Sequence, residues 1–216
     1  MKMTNRWNRI IYRLWAPIYD GTLNRFFLPG RRKALQSLDL QVGERVLIVG
    51  VGTGADLPLL PMGVEVIGVD LSQEMLAKAR LKLERSPARV QLVQADAQTL
   101  LVAPASFDAV ILNLILSVIP DGKACLQAAF QAIKPGGRAV IFDKFLPEGK
   151  RVPLPRKFIN LFSTLLGTDI NRRLSDLMTG CPCKIIRDES GIANGLYRVI
   201  LLRKYESTGE QEGTYS

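Results

Sequence analysis

Val46-Leu47-Ile48-Val49-Gly50-Val51-Gly52-Thr53-Gly54 is a buried-strand run that ends in three glycines at alternate positions, and Asp70 closes the next apolar run, at 64–69. A strand delivers the chain to a tight turn, where glycine lets the backbone approach a ligand without a Cβ clash. A carboxylate ending the second strand can then accept hydrogen bonds from ribose hydroxyls. The dinucleotide fingerprint, G-x-G-x-x-G, needs its third glycine one residue later and a helix N-terminus aimed at a pyrophosphate. Here G-x-G-x-G runs into Ala55, Asp56 and Leu57, which puts a carboxylate where a pyrophosphate needs positive potential. The pattern points to a nucleoside ligand without phosphates.

Around this stretch, short β-branched runs alternate with longer helical patterns, the signature of a parallel sheet covered by helices. Strands are expected at 45–50, 64–69, 89–94, 107–113 and 137–143, and helices at 72–85 and 121–134. Ser72, with Glu74 behind it, is a helix-start signal. Pro135-Gly136-Gly137 is expected to stop the second helix and turn the chain into the fifth strand. Two more strands are expected at 183–188 and 196–204. Residues 206–216, polar and without an aliphatic side chain, are expected to form a disordered tail.

The chain has 216 residues, 47% hydrophobic and 23% charged, with a net charge of +9. That suits one domain with a sizeable core. No run reaches the ~18 apolar residues of a membrane span, and the N-terminus lacks a signal peptide's uniform apolar segment. Three cysteines, an odd number, argue against a disulfide framework and for a reducing, cytoplasmic compartment. Cys181-Pro182-Cys183 has only Cys125 as a further thiol, and the chain contains no histidine, so no metal site is expected.

Five ordered segments, 46–54, 66–80, 94–100, 107–121 and 133–145, resemble the class I S-adenosylmethionine-dependent methyltransferases. The resemblance implies an α/β fold: a Rossmann-like, seven-stranded, mostly parallel sheet with helices on both faces and an antiparallel hairpin at the C-terminal end. It implies one domain over 1–206, with residues 1–40 as a basic helical lid and 146–180 as a substrate-side insertion. S-adenosylmethionine is the implied cofactor. Gly50, Val51, Gly52 and Gly54 would wrap its methionine and ribose, and Asp70 would take the ribose hydroxyls. Leu71 would pack near the adenine, Asp96 with Ala97 would meet the adenine amine, and Asn113 with Leu114 would line the methyl-transfer face. Each has a plainer reading as a helix cap or turn. One position departs from the family pattern: where an acidic residue usually stands two residues before the first glycine, this chain has Ile48. Backbone carbonyls and Asp56 then remain as partners for the cofactor's ammonium.

The flanking segments bear on the acceptor. Trp7, Ile10, Ile11, Leu14 and Trp15 form a helical stripe opposite Arg6, Arg9 and Arg13. Such a helix serves either as a lid on the core or as a peripheral membrane anchor through residues 1–16. Residues 146–180 interleave Arg and Lys with Phe, Ile and Leu in the same way. Nucleic acid is the rival use for the charge, but Asn113-Leu114-Ile115-Leu116 lacks the Pro-Pro-aromatic pattern of base-amine methylation. A narrower resemblance, carried by Tyr12 to Asp20, Pro29 to Arg32 and Ser117 to Asp121, is to bacterial phospholipid N-methyltransferases, with quinone methyltransferases sharing much of it. It implies a lipid or small-molecule acceptor, Tyr19 beside the transferable methyl, and Trp15, Arg31 and Arg32 on the substrate. The absence of histidine favours N- or S-methylation, since an amine needs only to arrive neutral and aligned whereas carbon and many oxygen acceptors also need a general base; a phenol or quinone stays open.

Overall fold

The computed structural model of the chain describes residues 24–146, 172–193 and 195–206. The expected N-terminal stripe, Trp15, Tyr19, most of the 146–180 segment and the C-terminal tail lie outside the described residues. Helix α1 (Asn24–Leu38) leads into strand β1 (Arg45–Val49) and a 3-10 turn at Leu57–Leu59. Then come β2 (Glu65–Asp70), α2 (Gln73–Arg80), a 3-10 turn at Leu83–Arg85, β3 (Arg89–Gln94) and β4 (Phe107–Asn113). The chain continues through α3 (Gly122–Ala132), β5 (Ile133–Lys144), α4 (Leu174–Met178), β6 (Cys183–Ile192) and β7 (Tyr197–Lys204).

The seven strands form one sheet in the order β3-β2-β1-β4-β5-β7-β6. The pairs β1–β2, β1–β4, β2–β3 and β4–β5 are parallel, whereas β5–β7 and β6–β7 are antiparallel. This is the seven-stranded Rossmann-like sheet, with its C-terminal hairpin, that the sequence leads one to expect. Val46 and Ile48 of β1 face one core layer with α1 and α2, and Leu47 and Val49 face the other with α3 and α4. Burial on both faces explains why β1 and β4 are continuous apolar runs without polar alternation. The edge strand β6 is exposed along most of its length and carries Lys184, Arg187, Asp188 and Glu189, charges that discourage edge pairing.

Two expectations need correction. The helix read over 72–85 ends at Arg80, and that read over 121–134 ends at Ala132. Pro135-Gly136-Gly137 does not separate helix from strand, because β5 already begins at Ile133. Phe107 pairs with Ile133 and Ala109 with Arg138, so the three residues form an irregularity within the pairing. Gly137 is needed there, since a Cβ would lie 2.9 Å from the Asp108 carbonyl oxygen.

Pro29-Gly30, which reads locally as a turn, lies inside α1. Phe27, Gly30, Arg31, Ala34, Leu35 and Leu38 are buried at helical spacing, and this packing overrides the local propensity. A Cβ on Gly30 would sit 2.2 Å from Phe142 Cζ, with two more ring atoms within 3 Å. Overpacking of this kind costs about 1–3 kcal/mol, and each kcal/mol moves the Tm of a domain this size by about 2–4 °C. Gly30→Ala is therefore expected to lower the Tm by about 5 °C in a thermal melt, despite the better helix propensity of alanine.

All three cysteines are free, with Cys125 and Cys183 buried. Burial pushes both of those thiols up to about 12. Since the thiolate is the reactive form, iodoacetamide at pH 8 is expected to label half-buried Cys181 first and to spare the other two until the protein unfolds. Mass mapping of the alkylated peptides checks the order.

Candidate active site

The strand order reverses between β1 and β4, and a crevice opens there at the carboxyl ends of the strands, where ligands of open α/β sheets bind. The crevice measures about 950 Å³ counted out to its open mouth. Asp96 and Ala97 after β3, Asp70 to Ser72 at the end of β2, Gly50 to Thr53 after β1, and Asn113 to Ile115 at the end of β4 line it, in the order of the strands across the sheet. Neighbouring strands lie about 4.8 Å apart, so the cleft runs roughly 15 Å across four strand ends. That suits an elongated ligand.

The loop after β1 is held against β2 by Gly50 and Val51, whose N–H groups both donate to the Val69 carbonyl at 2.9 Å. Gly50 has φ +73°, and a Cβ there would meet Ile115 at 2.7 Å. Gly52 has φ +55° with open space where a Cβ would project, so its face of the loop is free for a ligand. Gly54 is different. It does not line the cleft; a Cβ there would touch the Ala79 backbone at 3.1 Å, so its role is to let the loop pack against α2.

Asp70 stands at the wall, its Oδ2 accepting from Gly52 N at 2.8 Å and its Oδ1 from Ser72 N at 2.9 Å. Burial pushes the carboxyl above its ordinary value, while the N–H groups of Ser72, Gly52 and Leu71 pull it down. Ser72 caps α2 by accepting from Met75 N. Asp96 Oδ1 accepts from Gln98 N at 2.9 Å, and Gln98 Oε1 in turn accepts from Asp121 N at 2.8 Å. That link ties the β3 loop to the start of α3.

The β4 end is built around a buried acid. Asp56, 1% exposed, accepts from Arg31 Nη1 at 2.7 Å and from Asn113 Nδ2 at 3.0 Å. Asp56 therefore does not oppose a phosphate from the cavity surface, as its place in the sequence had led one to expect. It lies behind the wall and is paired with Arg31. What disfavours a pyrophosphate is the local backbone: only a three-residue 3-10 turn follows the loop. Ile48 is 1% exposed and packs in the α1-side core.

Of the substrate residues expected from the sequence, Arg31 lines the cleft, whereas Arg32 is exposed on α1 and does not. Leu114, at φ +60°, donates its N–H to the Phe142 carbonyl at 2.7 Å. Ile115, Val118, Ile119 and Pro120 add an apolar wall; the sequence shows the last three only as part of the Ser117 to Asp121 resemblance and assigns none of the four to the site. This loop is fixed from outside by Arg172, whose guanidinium donates to the carbonyls of Leu116, Ile119 and Pro120. No helix among the described residues is long and apolar enough to cross a membrane.

Residues 47–141 match the methyltransferase domain family. The phosphatidylethanolamine N-methyltransferase of Cereibacter sphaeroides is 35% identical over 159 residues, covering 72% of this chain and 77% of that protein. The demethylmenaquinone methyltransferase of Thermus thermophilus is 34% identical over 137 residues, covering 59% of this chain and 61% of that one. Among solved structures, a SAM-dependent methyltransferase of Thermotoga maritima shares the fold at TM-score 0.66 and 20% identity, covering 91% of this chain and 99% of the other. The chain belongs to the class I S-adenosylmethionine-dependent methyltransferases, with S-adenosylmethionine as its cosubstrate.

Proposed function

We propose that this enzyme methylates an amine on an amphipathic acceptor, most simply an ethanolamine phospholipid headgroup. The observation that carries the reading is the likeness to the phosphatidylethanolamine N-methyltransferase over 72% of this chain. The apolar wall of Ile115, Val118, Ile119 and Pro120 is compatible with an acceptor that brings hydrocarbon with it. Among the described residues, Asp70 and Asp96 are the only carboxylates lining the cleft, and this reading gives both to the nucleoside. An amine acceptor makes no demand for a further base.

In this reading Asp70 takes the ribose hydroxyls, Asp96 the adenine amine, and Ala97 and Leu71 pack against the base. Gly50, Val51 and Gly52 present backbone to the ribose and methionine portion, and Asn113 and Leu114 face the transfer path. The bound sulfonium supplies an activated methyl for in-line transfer, and the chain's part is to align the acceptor and exclude water. Tyr19 and Trp15 are proposed to complete the acceptor side.

A second reading is a quinone acceptor, favoured by the 34% identity to the demethylmenaquinone methyltransferase. Incubating the enzyme with methyl-labelled cofactor and either phosphatidylethanolamine vesicles or a demethylated quinone in detergent separates the two. The proposal expects label in the phospholipid headgroup. Label confined to the quinone overturns it.

A further inference from the structure

The turn after β4, Ile115 to Pro120, belongs to no helix or strand, yet Ile115, Val118, Ile119 and Pro120 all line the cleft. The carbonyls of such a turn need donors from elsewhere in the fold. Arg172 supplies them: Nη1 donates to the Leu116 carbonyl, and Nη2 to those of Ile119 and Pro120. From the other side, Ser117 N donates at 2.9 Å to Oδ2 of Asp143, a fully buried carboxylate near the end of β5. An arginine and an aspartate outside the turn therefore set its shape. Arg172 is itself fixed. Its carbonyl accepts from Leu146 N at 2.9 Å, and α4 starts two residues on, with Leu174 and Leu177 buried in the core on the α3 side. Gly122 keeps the approach open. A Cβ there would lie 2.6 Å from Arg172 Nη1 and 3.0 Å from the Leu116 carbonyl oxygen, although no left-handed φ calls for glycine at that position.

We infer that Arg172 is a positioning residue for the methyl acceptor: by holding the 115–120 turn it sets the apolar wall against which the acceptor's hydrocarbon lies. A planar guanidinium reaches several carbonyls from fixed directions, which the single point of a lysine ammonium does not reproduce. The cofactor's polar anchors are held without it. Asp70 is fixed by Gly52 N and Ser72 N, and Asp96 by Gln98 N. Loss of Arg172 therefore falls on the wall and spares the nucleoside. A wall that shifts by about 1 Å forfeits much of its dispersion contact with a hydrocarbon chain. The inference rests on reading the apolar wall as the acceptor's.

The test compares two acceptors that share the ethanolamine phosphate and differ in hydrocarbon: a short-chain phosphatidylethanolamine dispersed as monomers, and phosphoethanolamine. Transfer from methyl-labelled S-adenosylmethionine gives kcat and KM for each, and calorimetry gives the affinity for S-adenosylhomocysteine. Wild-type protein is expected to show a KM for the lipid at least about tenfold below that for phosphoethanolamine. Arg172→Met keeps the aliphatic stem and removes the donors. It is expected to raise the lipid KM about tenfold, while kcat, the phosphoethanolamine KM and the S-adenosylhomocysteine affinity each change by less than about threefold. Arg172→Lys is expected to recover part of the loss, leaving the lipid KM raised about threefold. Gly122→Ala leaves Arg172 in the chain, improves helix propensity and pushes the guanidinium aside, so a rise of about threefold in the lipid KM is expected there too. It also carries the comparison should Arg172→Met fail to fold. A lipid KM that does not move, equal changes for both acceptors, or a loss confined to S-adenosylhomocysteine overturns the positioning role and leaves the acceptor class intact. Wild-type protein that methylates both acceptors equally well, or neither, overturns the acceptor reading and the inference with it.

Discussion

Asp70→Ala is expected to weaken S-adenosylmethionine binding about 100-fold, measured by calorimetry at neutral pH. Two ribose hydroxyls donating to one carboxylate make charge-assisted bonds, each contributing about 1.5–3 kcal/mol. Losing about 3 kcal/mol in total corresponds to two orders of magnitude in affinity. Asp70 also accepts from Gly52 N and Ser72 N, so alanine loosens the glycine loop as well. Asp70→Asn is the milder change, because its one amide oxygen keeps an acceptor for Gly52 N or Ser72 N while the charge is removed.

The direction of the Asp70 shift supplies a second readout. Its carboxyl is raised in the fold, chiefly by burial, so the ionised form is less favourable there than in the unfolded chain. The resulting cost to stability is absent below the unfolded value and fully present once the pH exceeds the raised folded value. At pH 7, Asp70→Asn removes that cost but gives up one of the two acceptors used by Gly52 N and Ser72 N, so its clear readout is weaker cofactor binding. Ribose hydroxyls favour the ionised carboxylate, so wild-type affinity should fall as the pH drops through the raised value. An affinity that is flat with pH, or that rises on acidification, contradicts the ribose role.

Phe142→Ala is expected to cause the largest loss of stability among single core substitutions considered, about 3–5 kcal/mol, or a Tm lower by about 10 °C or more. Phe142 is fully buried and forms an aromatic cluster with Phe27, at 6.2 Å between ring centroids, and Tyr197, at 5.8 Å. Gly30 rests on the same ring. The cluster seats α1 on β5 and β7, and α1 delivers Arg31 to the cleft. Cofactor analogues that bind only the folded state should restore part of the lost Tm, rising with the logarithm of ligand concentration over Kd.

Much of this arrangement is legible in the sequence, for reasons specific to the residues. Val46 to Val49 and the β4 run are apolar on both faces, which marks central parallel strands without any tertiary knowledge. Asp70, Asp96 and Asn113 stand where apolar runs stop, and the strand order gathers those stopping points into one cleft. Other features depend on contacts between distant positions. Pro29-Gly30 carries a local turn signal, and only the Phe142 ring beneath explains a helix there. Arg31 and Asp56 meet across 25 residues, and neither side chain announces its partner. Gly54 matched the glycine pattern, yet its small size serves α2 and Ala79 while the cleft takes only the two earlier glycines. Pro135-Gly136-Gly137 is a strong breaker locally and points to a strand start at 137, whereas pairing with Phe107 extends β5 back to Ile133.

A crystal structure with S-adenosylhomocysteine bound tests the central claim most directly. The account predicts the ligand laid across the ends of β3, β2, β1 and β4, with ribose hydroxyls on Asp70, the adenine amine at Asp96 and the methionine portion along Gly50 to Gly52. Density for the adenine at the Asn113 end, or for the ligand outside this cleft, would contradict it.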